Sequence, residues 1–120
     1  MKNSELALAW IRLQRAQEGS DEHSTNLWAA GEMLVSCLTK PEVAFHYVTQ
    51  IFELSCDPWV HENLGAGPLE TLFARHPDVA VALVSKYLLK HSNFSMVVKH
   101  VWADNLSMDV ALKLKAMSGQ

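Results

Sequence analysis

The chain has 120 residues, 49% of them hydrophobic and 19% charged, with a formal net charge of −3. This balance excludes a disordered chain, and the length suits one domain over 1–120, since two halves would each have a marginal core. The ten Lys and Arg residues are spread along the sequence rather than gathered on one segment, which disfavours a nucleic-acid partner because neutralising a phosphate backbone needs a basic face.

Ser4 is placed as the cap of a first helix, whose inner face carries Leu6, Trp10 and Leu13 with Ala7 and Ile11 beside them. Glu5, Arg12 and Arg15 interrupt this segment, so it lacks the uncharged core of a signal peptide, and a cytoplasmic location is expected. Gly19-Ser20 breaks the pattern. The polar stretch Gly19 to Asn26 reads as a loop, with Ser24 or Thr25 capping a second helix that carries Leu27, Trp28, Met33, Leu34 and Leu38. Gly31 inside that helix costs about 1 kcal/mol relative to Ala, so a neighbour's close approach is expected there.

Pro41 suits the first turn of a third helix with Ala44, Tyr47, Val48, Ile51 and Phe52 on its buried stripe. Asp57-Pro58 opens a short fourth helix that Gly65 is expected to close. Gly67-Pro68 then opens a fifth, with Gly67 as N-cap, Glu70 in the first turn, and Leu69, Leu72, Phe73 and His76 on its apolar-leaning face. Pro77-Asp78 starts a sixth helix, apolar nearly all round and therefore expected at the centre. It contains the longest apolar stretch, Val79 to Val84, far short of the ~20 residues of a membrane span. His91-Ser92-Asn93 marks a stop before a seventh helix carrying Phe94, Val97, Val98, Val101 and Trp102. Asn105 or Ser107 caps an eighth, with Leu106, Val110, Leu114 and Met117 on one side and Lys113 and Lys115 near its end. The expected fold is all-α: a compact array of about eight short helices, an irregular bundle with HEAT-like antiparallel pairing.

Motifs for chemistry are absent. His61-Glu62 begins like the HExxH zinc-protease helix, but Gly65 stands where the second His is needed, and no metal site is expected. His46, His61, His76 and His91 fall at 15-residue intervals without any accompanying repeat. Cys37 and Cys56 lack a second pair and read as buried thiols. Gly65-Ala66-Gly67 supplies two glycines of a dinucleotide fingerprint, with Glu70 in the third slot and no strand before it. No cofactor is therefore expected. Of the four tryptophans, Trp10 and Trp102 read as core, while Trp28 and Trp59 are candidates for an interface.

From Leu64 to His76 the chain resembles a family of small, largely uncharacterised bacterial proteins marked by a pattern close to LAAGPLEDLLARHG. The matching residues are Leu64, Ala66, Gly67, Pro68, Leu69, Glu70, Leu72, Ala74, Arg75 and His76. The likeness extends to Trp10-Ile11-x-Leu13-Gln14, to the Pro41-Glu42 helix start and to Phe94 through Trp102. Pro77 replaces the family's usual glycine, and Gly65 an alanine. The resemblance implies an all-α fold and names no catalytic residue.

A small acidic helical domain without catalytic signatures suits protein binding better than enzymology. The leading expectation is a non-enzymatic protein-binding domain, such as a bacterial immunity protein that neutralises a basic toxin domain by steric and electrostatic blockade. The partner-binding candidates are Asp21, Glu22, Trp28, Glu53, Asp57, Trp59 and Glu62. One alternative is a small enzyme or small-molecule binder with a polar pocket near Glu70, Arg75 and His76. Another is a homodimeric structural module.

Overall fold

Helix α1 (Asn3–Arg15) turns Leu6, Ala7, Ala9, Trp10 and Leu13 into the core, as its periodicity requires. The computed structural model describes residues 3–119. Ser4 lies within α1, at its second position, rather than at a cap. Gly19 then adopts φ +85°, a left-handed turn open to glycine, and Ser20 becomes the N-cap of α2 (Asp21–Thr39), its Oγ accepting the His23 N–H at 3.1 Å. The stretch expected as a loop is therefore already helix. Ser20 precedes Ser24 and Thr25 as a competent cap, and Asp21 and Glu22 favour the positive end of the helix dipole.

Helix α3 (Pro41–Leu54) follows from Pro41 and buries Ala44, Phe45, Val48, Ile51 and Phe52, with Tyr47 half-buried. Asp57 caps α4 (Pro58–Leu64) by accepting the Trp59 N–H at 2.9 Å. Beyond Leu64 the chain departs from expectation. Gly65 keeps right-handed helical angles (φ −71°, ψ −45°), and α4 runs through a π-helical turn, Gly65–Leu69, into α5 (Glu70–Arg75). Gly67 is thus no cap and Pro68 lies inside a helical run. Pro68 has no N–H to offer, and its ring would strike the carbonyl four residues earlier. Widening the turn by one residue relieves that clash. Gly67, with no Cβ, also avoids the steric penalty on a helical residue before proline.

Gly65 has a different task. A Cβ there would overlap the Val97 carbonyl oxygen and come within 2.8 Å of His100 Cβ, so the glycine lets the π-turn press against α7 (Ser95–Val98). That helix is a single turn, preceded by a 3₁₀ turn at Ser92–Phe94. Phe94, Val97, Val98 and Val101 are buried as expected. Trp102 is not core: the helix ends before it, and it is 67% exposed.

Helix α6 (Pro77–Leu88) opens on Pro77 but is not central, since only Ala80 and Val84 are fully buried. Its apolar character reflects contact on several sides, with α3, α5 and α8 (Met108–Met117). Ser107 caps α8, accepting the Val110 N–H at 3.2 Å. Among the described residues there is no strand, and no helix is long and apolar enough to cross a membrane.

The result is an irregular all-α bundle in which α1, α2 and α3 pack on one another and α4, the π-turn and α5 link them to α6 and α7. Phe45, Phe52, Tyr87 and Phe94 meet edge to face, with Phe52 and Phe94 centroids 5.1 Å apart, and anchor the core where α3 faces the later elements. The radius of gyration, 13.8 Å, matches the ~13.6 Å of a close-packed chain of this length.

Candidate protein-binding surface

Helix α2 carries two apolar faces. Its inner face is made of small or slender groups: Asn26, Ala29, Met33, Ser36 and Cys37. Small residues are needed there because the helix packs closely on α1, which brings Trp10 and other bulky side chains to the core. Asn26 satisfies its buried amide locally, donating to the Glu22 carbonyl at 2.8 Å. Burial pushes the Cys37 thiol up to about 11, and its Sγ donates to the Pro68 carbonyl at 3.6 Å.

Most of the apolar residues that the sequence assigns to this helix point outward. Leu27, Trp28, Leu34, Val35 and Leu38 are between 37% and 55% exposed. Met33 alone of the predicted stripe is buried. Leu27, Gly31, Leu34 and Leu38 follow at spacings of four, three and four, with Trp28 and Val35 alongside, so the outward stripe is roughly opposite the inward one and about 16 Å long. Gly31 is at its middle, and nothing lies within 4 Å of the position its Cβ would take. The neighbour anticipated from its sequence position is absent. Leu34 also lines a cleft of about 210 Å³ whose other walls include Trp10, Ala30, Gly67 and Pro68.

The remaining candidates are distributed over the molecule. Asp21 and Glu22 are exposed in the first turn of α2. Glu53 accepts a 2.6 Å hydrogen bond from the Tyr87 hydroxyl, and that bond, after burial, raises the phenol's proton affinity. Asp57 combines its capping role with an ion pair to Arg15 at 3.5 Å. Trp59 is half-exposed, its indole Nε1 donating to the Gln14 carbonyl at 2.9 Å, and Asn63 donates to the Gln14 side chain at 3.1 Å. Asp57, Trp59 and the exposed Glu62 therefore belong to one α4 surface anchored on α1, whereas Glu53 and the α2 acids belong to other elements.

Glu70 and His76 are turned to structural ends. The Glu70 carboxylate accepts the Trp102 N–H at 2.9 Å and fixes the chain as it leaves α7. His76 Nε2 donates to the Leu38 carbonyl at 3.2 Å, closing the C-terminal end of α2, and Arg75 is exposed. A cleft of about 360 Å³ is walled instead by Phe45, Leu83, Tyr87 and His91, and a second of similar size lies between Val98, Lys99, Met108 and Leu112.

His61 is buried against Phe52. Its Nε2–H donates to the Ser55 carbonyl at 2.6 Å, leaving Nδ1 without a hydrogen-bond partner. Cys56, expected to be buried, is exposed in the loop between α3 and α4. Among the described residues no group of three or more His, Cys, Asp or Glu side chains could hold a metal ion.

Sequence-level reading named Leu27, Leu34 and Leu38 as apolar positions of this helix without assigning their direction, and did not name Val35. The signal that could have found them was the second, small-residue face through Ala29, Ser36 and Cys37. No curated protein and no solved structure matches the chain. Residues 14–120 match a family of unknown function, DUF6869, and the chain belongs to that family.

Proposed function

We propose that the chain is a non-enzymatic protein-binding domain and that the outward stripe of α2 is its docking face. Gly31 carries the reading. A mid-helix glycine costs about 1 kcal/mol against alanine, and no intramolecular neighbour uses the space it opens at the centre of an apolar face. Contiguous exposed apolar surface of this kind is characteristic of protein interaction sites. The alternative of an enzyme is less well supported, because Glu70 Oε1 and His76 Nε2 are engaged by two different backbone segments.

A photo-crosslinking side chain at position 35 tests the reading in the native host, with the exposed position 113 on α8 as control. Protein adducts at 35 and none at 113 are expected. Equal labelling at both positions, or none at 35, refutes the docking face.

The α4 surface favours a second association. Trp59 is held by Gln14 and flanked by Asp57 and Glu62, an arrangement that suits a basic partner such as the toxin domain met by an immunity protein. Acidic residues would steer such a partner, so its association rate should fall steeply with salt and on Glu62→Lys. A rate indifferent to both excludes this reading.

A further inference from the structure

We infer that the occupant of the α2 stripe is a second copy of this chain, docked by antiparallel apposition of the two α2 helices about a two-fold axis beside Gly31. This rests on the reading of the stripe as a protein-docking face. The stripe has the form that a two-fold requires. At 3.6 residues per turn, Leu27 and Leu34 lie along one edge and Trp28 and Val35 along the other, with Gly31 and Leu38 between them.

A two-fold perpendicular to the helix returns each edge to itself with its ends exchanged, so the patch must be self-complementary. Leu27 then meets the second copy's Leu34, and Trp28 meets the second copy's Val35. These two pairs are centred on either side of Gly31, which meets its own counterpart at the crossing. Leu38 reaches the second copy's Ser24. No other register pairs both edges with apolar residues while placing the glycines together.

Three physical features agree with this geometry. The absent Gly31 side chain allows the two backbones to approach closely at the crossing, which accounts for a glycine that monomer packing leaves unexplained. Leu34 borders the cleft walled by Trp10, Ala30 and Pro68, so the second copy's Leu27 is seated at the mouth of a concave site rather than on a flat surface. The area is also sufficient. With a full residue surface of about 200 Å², the exposed fractions of Leu27, Trp28, Leu34, Val35 and Leu38 amount to about 500 Å² per copy, or about 1,000 Å² across the axis. At full burial of these five residues that is the lower bound of a specific interface, so the dimer is weak and reversible.

Sedimentation of the purified full chain over about 1–500 µM tests the inference. The weight-average mass should rise from 13.4 kDa toward twice that value. Leu34→Lys should weaken the dimer at least tenfold. Gly31→Leu should do the same while leaving the urea midpoint of the dilute protein at or above wild type, because the position is exposed and open at Cβ, and leucine favours a helix over glycine. A constant 13.4 kDa across the range overturns the inference, as does a dimer that neither variant weakens. Crosslinking at position 35 separates the two levels. Adducts with another protein, together with a purified chain that stays monomeric, reject the second copy and leave the docking face standing, whereas no adduct at all rejects both.

Discussion

Replacing Gly65 with alanine tests whether the approach of the π-turn to α7 organises the second half of the fold. The added Cβ overlaps the Val97 carbonyl oxygen and sits 2.8 Å from His100 Cβ. Neither atom is the free end of a flexible side chain. The Val97 carbonyl is itself held by the His100 N–H at 3.0 Å, so relief requires α7 to move as a body, carrying buried Phe94, Val97 and Val98 with it. Overpacking of this kind costs about 3 kcal/mol when backbone must shift, and alanine returns about 1 kcal/mol of helix propensity. A net loss of about 2 kcal/mol follows, which lowers the melting temperature by roughly 6–8 °C in a domain of this size. Thermal and urea unfolding followed by circular dichroism at micromolar concentration measure it. A Gly65→Ala protein that melts within about 2 °C of wild type refutes the close-approach reading, since the overpacking penalty would then be absent.

The opposite sign is expected at Gly31, where Gly31→Ala in dilute solution should raise stability by up to about 1 kcal/mol because the site is open and helical; a loss there would reveal a contact within the monomer. Thiol titration with a disulfide reagent at pH 8 should find Cys56 reacting rapidly and Cys37 only on unfolding, and comparable rates would contradict the burial of Cys37. The Cys37 thiol holds its proton more tightly folded than unfolded, so its contribution to stability is complete below about pH 9 and is lost as pH rises toward about 11, measurable as a falling urea midpoint. Glu70→Ala removes the acceptor for the Trp102 amide and should speed exchange of that proton at least tenfold while costing about 1 kcal/mol; unchanged exchange would dissociate Glu70 from the segment after α7. Substituting His61 with Phe deprives the Ser55 carbonyl of its donor and should cost about 1–2 kcal/mol in urea unfolding, whereas a neutral result would mean that the bond contributes nothing net.

Local chemistry was legible wherever the deciding atoms are close in sequence. Pro41, Pro58 and Pro77 each open a helix, Asp57 and Ser107 cap, and the α3 stripe from Ala44 to Phe52 is buried as its period demands. These follow from a fixed φ, a missing N–H and the 3.6-residue turn, none of which needs a distant partner. Glycine and proline between Leu64 and Glu70 misled for a related reason. The same residues that end a helix in isolation can widen one when both flanks are held by packing, and here Leu64, Leu69, Leu72 and Phe73 are all buried.

The candidate surface was less legible than the fold. Asp21, Glu22, Trp28, Trp59 and Glu62 are exposed, but the pattern of α2 did not show that Trp28 joins Leu27, Leu34, Val35 and Leu38 in one outward stripe. Periodicity establishes that a helix has an apolar face without saying which face meets the bundle. For α2 the choice fell to complementarity with α1, whose bulky side chains favour Ala29, Ser36 and Cys37 over the larger leucines.

Composition, period and capping chemistry by themselves determined an all-α domain, the starts of most of its helices and the identity of much of its core. Only the tertiary structure decided that Gly65 rather than Gly31 mediates a close approach, that Trp102 lies outside, and that α2 turns Leu27, Trp28, Leu34, Val35 and Leu38 outward. Each of those outcomes depends on which surfaces meet across long stretches of chain, a packing relation that local periodicity does not encode.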